Sequence, residues 1–533
     1  MPPEPGREPW TPSRVLAWTL VVLVGALLVE VLFEGWVETL VGTSSTGYGG
    51  RVILTEAAWP KLVKNGLYLT LAGLSVAKVA IDGRWRDFSR KADLALVALA
   101  LVLVLAGLVS GSSLPLIGQA LFVYLRGVIV FYALRAADPP WPRLRPVLWT
   151  VGGLVALNVV VALVQMVVGP PAYSALGWVD LSWGEKYRSQ ALLTHPNHLG
   201  HLLALAILGV LAWLGPRARL GYRPWIVLGV LGLTLSATQS REAIIAVCVA
   251  AGVLCLLGGI GVRRTVAAVA LILVFAGAQV ALRPDNRAEW NRRLTGVVDA
   301  FRVPSGAEAP RTPAPSPTRS GPAAPPSTHA SASTHTSPSS QASPSAPASP
   351  SAQASPSSVG LSPSPAAAPT TPAREIRVLY YQQGLRLLAH RPLLGYGVGQ
   401  FGGIVAEKND PNWNLNPAFG PGGFDRHGFQ AKQVDSFWLH LVVEAGLLGL
   451  LAYLVWLAML AAPLLRRTSR FGGAGPSAPA DPFAYWALAA IVFVVQVAFL
   501  SASLEDPLLP AILFAILGLA WLYPGRDSTG LRS

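Results

Sequence analysis

The stretch Asp435-Ser436-Phe437-Trp438-Leu439-His440-Leu441-Val442-Val443-Glu444-Ala445-Gly446-Leu447-Leu448-Gly449 opens an apolar run that continues to about residue 464. Counting by four from Ser436 gives His440 and Glu444, so these three polar side chains share one face of a helix. A charged group at the centre of a membrane span costs about 2.5–3.5 kcal/mol on insertion scales, so such groups face a partner or a water-filled cavity. The run therefore reads as a spanning helix whose first turns carry a functional site near one membrane surface.

Composition extends that reading to the whole chain. Of 533 residues, 52% are hydrophobic and 13% charged, and the mean hydropathy is +0.47. One soluble core could not bury so much apolar sequence. Runs long enough to cross a hydrocarbon layer of about 30 Å fall near 15–33, 61–81, 92–110, 115–135, 147–169, 197–214, 224–238, 242–260, 265–283, 436–464, 483–502 and 507–523. The expected fold is all-α, a polytopic membrane protein of about twelve transmembrane helices, with a large extracytoplasmic loop between helices 9 and 10.

Every second connection is basic: Arg84, Arg86, Arg90 and Lys91; Arg143 and Arg145; Arg217, Arg219 and Arg223; Arg263 and Arg264; Arg466, Arg467 and Arg470. Lys and Arg accumulate in cytoplasmic loops, which puts both termini on the cytoplasmic side of the cytoplasmic membrane and the other loops outside. The net charge of +14 is thus a topology signal. The cations are dispersed over loop ends and form no single basic face, which argues against a nucleic-acid partner. The first apolar run follows Arg7 and Arg14 and continues into Glu30 without a small-residue cleavage site, as a retained first span does. Cys248 and Cys255 lie together in one apolar run and read as small buried hydrophobes.

Composition divides the chain into an N-terminal transmembrane bundle (1–283), an external loop (284–435) and C-terminal transmembrane helices (436–525). Within the loop, residues 303–373 are mostly Pro, Ser, Ala and Thr, with no Phe, Trp or Tyr. Such a tract cannot bury enough apolar surface to offset chain entropy and reads as a disordered tether. Asn286–Phe301 and Arg374–His390 read as short ordered pieces. After them Arg391-Pro392-Leu393-Leu394-Gly395-Tyr396-Gly397-Val398-Gly399-Gln400-Phe401 is rich in turn residues. No strand and helix frame these glycines as a dinucleotide fingerprint does. They let the backbone turn tightly or approach a ligand closely.

Four passages in order carry a family resemblance: Arg188 through His195-Pro196-Asn197-His198 to Gly200; Ser240-Arg241-Glu242-Ala243; Pro392 to Phe401; and Asp435-Ser436 followed by Gly446-Leu447-Leu448-Gly449. Over roughly residues 90–525 the chain resembles the O-antigen ligase and Wzy-type polymerase superfamily of membrane glycosyltransferases. The resemblance implies transfer of a glycan from an undecaprenyl-diphosphate carrier to a glycan or glycolipid acceptor on the outer side of the membrane. It further implies an inverting reaction with no metal and no cofactor. A base would activate the acceptor hydroxyl, and arginines would hold the diphosphate. The ligases' last motif begins with His; Asp435 stands there in this sequence, as in some polymerases of the superfamily.

Asp435 is a candidate general base or the N-cap of its helix. His427, in Asp425-Arg426-His427-Gly428, is the alternative base or an exposed loop imidazole. Arginine suits a diphosphate because its planar fork donates paired, charge-assisted hydrogen bonds, which makes Arg241, Arg188 and Arg126 candidate substrate ligands. Arg241 and Arg188 could instead snorkel from helix ends, and Arg126, inside the fourth span, could be a structural ion-pair partner. His195, His198 and His201 fall within one helical sector, so geometry alone leaves metal open; His195 and Asn197 read rather as acceptor-binding groups. Gly395 and Gly397 complete the candidate substrate site with His440 and Glu444, whose other reading is a mutually satisfied buried pair. The rival function is a transporter or flippase of the same lipid-linked glycan, for which paired broken helices would speak.

Overall fold

The computed structural model describes residues 11–46, 52–55, 58–215, 221–282, 287, 376–426, 433–468 and 481–523. The Pro/Ser/Ala-rich tract, Arg217, most of Asn286–Phe301 and His427 lie outside these. The described residues fall in one compact unit formed by Met1–Leu294 together with Glu375–Ser533.

Each expected apolar run coincides with a helix: α1 (Pro12–Val41), α2 (Ala58–Asp82), α3 (Lys91–Val109), α4 (Leu114–Ala137), α5 (Trp141–Val168), α8 (Pro196–Leu214), α9 (Arg223–Thr238), α10 (Arg241–Leu256), α11 (Val262–Ala281), α14 (Phe437–Leu465), α15 (Pro482–Val497) and α16 (Leu508–Leu522). Seven of them, α1, α3, α4, α5, α8, α11 and α14, are long and apolar enough to cross a membrane. Short helices α6 (Pro170–Ala175) and α7 (Ser182–Glu185) follow α5, and α12 (Ile376–His390) and α13 (Ile404–Asn409) precede α14. Among the described residues the extended structure is one small hairpin, β1 (Thr43–Thr46) against β2 (Val52–Thr55), antiparallel with Thr43 opposite Thr55.

Local chemistry starts these helices. Proline stands in the first turn of α1, α4, α5, α8, α9 and α15, where its missing N–H costs nothing and its φ is already helical. Thr11, His195, Ser436 and Asp481 cap α1, α8, α14 and α15 through side-chain acceptors. The cap of α14 is Ser436, whose Oγ accepts from Leu439 N at 3.2 Å; Asp435, weighed for that role in the sequence, stands one residue outside it.

The helices pack with α4 against α1, α2 and α16, with α14 against α3, and with α8 against α9, α10 and α15. Small residues let backbones approach: a Cβ on Gly209 of α8 would stand 3.0 Å from the Trp486 ring of α15, the packing typical of helices that have no hydrophobic effect to drive them together in lipid. The basic connections gather at one end. There Arg135 pairs with Asp93 at 2.6 Å, Arg84 with Asp138 at 3.7 Å, Arg264 donates to Leu214 O, and Tyr523 Oη donates to Pro139 O.

At the opposite end α14 is broken. Gly446 has φ 65° and ψ −168° inside an otherwise continuous helix, and the segment 392–397 fills the gap. Leu447 N donates to Pro392 O at 2.8 Å and Leu448 N to Leu393 O at 3.2 Å, while Val443 O and Glu444 O accept from Tyr396 N and Gly397 N at 2.9 and 2.8 Å. Backbone groups freed at membrane depth must be satisfied by protein, and this segment does it. Gly395, Gly397 and Gly399 all have positive φ (65°, 99° and 76°), so the turn-forming role expected from the sequence holds. Around them Tyr380, Tyr396, Phe401, Trp413, Phe419 and Phe424 form a small core of their own over Leu439 and Val443 of α14.

Candidate active site

The polar residues at this end sort into three connected groups. In the first, Arg188 lies in the segment between α7 and α8. Its Nε donates to Thr238 O at the end of α9 (3.1 Å) and its Nη2 to Asn197 Oδ1 at the start of α8 (3.0 Å). Its guanidinium stacks 4.9 Å over the Trp183 ring, and the same ring meets His195 at 4.7 Å. His195 Nδ1 accepts from Asn197 N at 3.0 Å, which makes it the cap of α8. Arg241 occupies the first turn of α10, directly after Ser240, whose N–H donates to Thr238 Oγ1. Arg188, His195 and Asn197 are thus brought into contact, with Arg241 on the adjoining helix start.

The second group is built on residues 501–507, the turn between α15 and α16. Arg126 of α4 is buried and donates to Glu505 O, while its Nε has no partner. Glu505 is fully buried; its carboxylate bonds to His440 Nδ1 and, through Oε2, accepts from Ile404 N of α13 at 2.8 Å. Asp506 bonds to His198 Nε2 at 2.9 Å, which links this group to the first through α8. Tyr68 Oη of α2 reaches Pro507 O. Beside Arg126 lies a stripe that sequence reasoning did not single out: Glu30, Glu34 and Glu38 of α1, four residues apart, with Lys64 of α2 paired to Glu34. The i, i+4, i+8 spacing of three carboxylates in an apolar helix was the available signal.

The third group is on α14. Ser436, His440 and Glu444 share one buried face, as their spacing requires. His440 and Glu444 do not bond to each other, however, as the sequence reading had preferred. Their Cβ atoms are one turn apart, but each side chain is claimed by a neighbouring element. Glu444 accepts from Tyr124 Oη of α4 at 2.5 Å and from Phe401 N at 2.8 Å; His440 turns to Glu505. Asp435, exposed, pairs with Arg377 of α12 at 3.1 Å, and Ser436 Oγ meets Tyr381 Oη of the same helix at 2.6 Å. Nor do the histidines of α8 converge: His198 goes to Asp506, and His201 to Glu242 at 3.2 Å. Carboxylates do stand near these histidines, Asp506 from the turn after α15 and Glu242 from α10. Lys408, in α13, reaches solvent, yet partial burial and then the cations Lys61 and Arg126 hold its ammonium below the ordinary lysine value.

These features define a polytopic helical membrane protein with arginine, carboxylate and histidine side chains converging at one end of the bundle. Residues 226–454 match the family model described as O-antigen ligase, Wzy_C, so over that stretch the chain is similar to the O-antigen ligase and Wzy-type superfamily. The match runs from α9 to α14 and includes Arg241, Gly395, Gly397, Asp435, His440 and Glu444. Arg126, Arg188, His195, Asn197 and Glu505 lie outside it. No curated protein matches the chain. The family supports a membrane function in joining glycans, by ligation or by polymerisation, with lipid-linked glycan and glycan acceptor as partners in general.

Proposed function

We propose that the protein transfers a glycan from an undecaprenyl-diphosphate carrier to a sugar acceptor at the extracytoplasmic face of the cytoplasmic membrane, polymerisation being preferred over ligation. The observation that carries this reading is the gathering of Arg188, Arg241 and Arg126 at the end of the bundle that also bears Asp435, opposite the end where the basic connections meet. Two of them have named anchors, Arg188 on Thr238 O and Asn197 and Arg126 on Glu505 O, and Arg241 stands in the first turn of α10. Arginines fixed in this way hold an anionic leaving group without reorganising as charge develops on it.

Asp435 accepts the proton of the acceptor hydroxyl as its oxygen attacks the anomeric carbon, and the bond from that carbon to the diphosphate breaks with its electron pair leaving on the diphosphate. Arg377, at 3.1 Å, orients the carboxylate. His427 is the substitute base.

One feature bears on the transport reading, since α14 is a discontinuous helix. In transporters the freed backbone groups of such breaks coordinate the cargo. Here residues 392–397 bond to four of them, Leu447 N, Leu448 N, Val443 O and Glu444 O, so the break holds the loop in place. The test is reconstitution of purified protein in liposomes with a lipid-linked repeat unit as the sole glycan. A ladder of longer lipid-linked products supports polymerisation, and product formed only when a separate acceptor is added supports ligation. Movement of the lipid-linked glycan between leaflets with no new glycosidic bond would overturn the proposal in favour of transport.

A further inference from the structure

Buried charges outside the family match demand a reason, and the turn 501–507 concentrates them. Glu505 and Asp506 are consecutive, lie between α15 and α16, and bond histidines from two different helices, His440 of α14 and His198 of α8. A fully buried carboxylate is costly unless its lone pairs are taken, and those of Glu505 are taken by His440 and by Ile404 N–H. Each partner comes from a different element. The residue's main chain does something else: its carbonyl receives the Arg126 guanidinium.

We infer that Glu505 is a positioning residue for Arg126, with His440 as its anchor, and that the pair fixes the arginine of α4 relative to the start of α14. The inference rests on the reading of Arg126 as a ligand of the carrier's diphosphate. The chain of contact is continuous. Asp435 and the cap Ser436 immediately precede α14; His440 stands one turn on and holds the Glu505 carboxylate; the Glu505 carbonyl holds Arg126, whose Nε is left without a partner in a buried setting. A guanidinium held through one nitrogen by a locked main-chain carbonyl keeps its orientation while other N–H groups stay available to an anion. Gly403 fits the same design: a Cβ there would come within 2.6 Å of Glu505 Oε2, so glycine lets α13 close over the carboxylate. Side chains that tie a ligand in place in this way act on affinity and orientation without touching the substrate.

The test is a double-mutant cycle on binding, independent of turnover. The full-length protein in nanodiscs is titrated with undecaprenyl diphosphate, using wild type, Arg126→Ala, Glu505→Ala and the double variant. Arg126→Ala and Glu505→Ala are each expected to weaken binding about 10-fold, and the double variant no more than Arg126→Ala alone, because residues acting through one contact are not additive. Glu505→Gln, which keeps the acceptor for Ile404 N–H and a bond to His440, should stay within about 3-fold of wild type. If Glu505→Ala does not fold, Glu505→Asp, too short to reach both partners, takes its place in the cycle. Losses that multiply to about 100-fold in the double variant overturn the positioning role. Unchanged affinity in Arg126→Ala sinks the diphosphate assignment itself, and this role with it.

Discussion

Replacing Gly446 by alanine tests whether the broken helix is a structural requirement. Its φ of 65° with ψ −168° lies in a region that is essentially restricted to glycine, and a side chain there costs about 1–3 kcal/mol. The added Cβ would also press on the backbone of the inserted segment, on Leu393 and within 2.6 Å of Leu394 N. Backbone cannot rotate away as a side-chain tip can, so the segment must shift. The bonds from Leu447 N and Leu448 N to Pro392 O and Leu393 O would then stretch or break, at about 1 kcal/mol each. The sum is about 3–5 kcal/mol. Straightening α14 gives no escape, because Tyr396 N and Gly397 N would lose the carbonyls of Val443 and Glu444 that they now use. The assay is thermal unfolding of the detergent-solubilised protein followed by tryptophan fluorescence, with Gly152→Ala as control. A Cβ at Gly152 of α5 meets nothing within 4 Å, so that variant should match wild type or exceed it by about 1 kcal/mol. A Gly446→Ala protein as stable as Gly152→Ala would refute the argument.

Four further outcomes are expected. Asp435→Asn removes an exposed ion pair of small energetic value, about 0–1 kcal/mol, so thermal stability should hardly move while glycan transfer falls by about 100-fold or more; undiminished transfer would move the base to His427. Arg188→Lys keeps the charge but cannot bridge Thr238 O and Asn197 at once, so donor KM should rise about 10-fold with the fold intact, and equal kinetics for the two proteins would argue against a ligand role. Because burial and neighbouring cations disfavour its charged form, Lys408 should show a pH midpoint for amine acylation below its ordinary 10.5, read by peptide mass spectrometry; a midpoint at or above that value contradicts the cation cluster. Single cysteines at Arg84 and Asn412 should behave oppositely toward an impermeant thiol reagent in intact cells, with labelling at 412 alone; the reverse pattern would invert the proposed sidedness.

Much of the architecture was legible in the chain itself. Hydropathy over a window of about 20 residues is a local property, and each run it marked coincides with one of the long helices, while the short α6, α7 and α13 escaped it. The helical period, equally local, put Ser436, His440 and Glu444 on one face. The three glycines after Pro392 announced positive φ, because no other residue takes those angles cheaply. Even the charge alternation along the loops reappears as one end of the bundle where Arg84 and Arg264 find their partners.

What tertiary structure alone decided is which polar group answers which. The sequence offered Glu444 as the partner of His440, four residues on; the fold supplied Glu505, 65 residues away. His198 took Asp506 across 308 residues, and Tyr124 took Glu444 across 320. Asp435 looked like a cap until Ser436 held that place and Arg377 came from α12 to meet the carboxylate. Periodicity fixes the direction in which a side chain leaves its own helix. The identity of the group it meets depends on how separate helices pack, and in a membrane interior every buried charge must find such a group, whatever its distance along the chain.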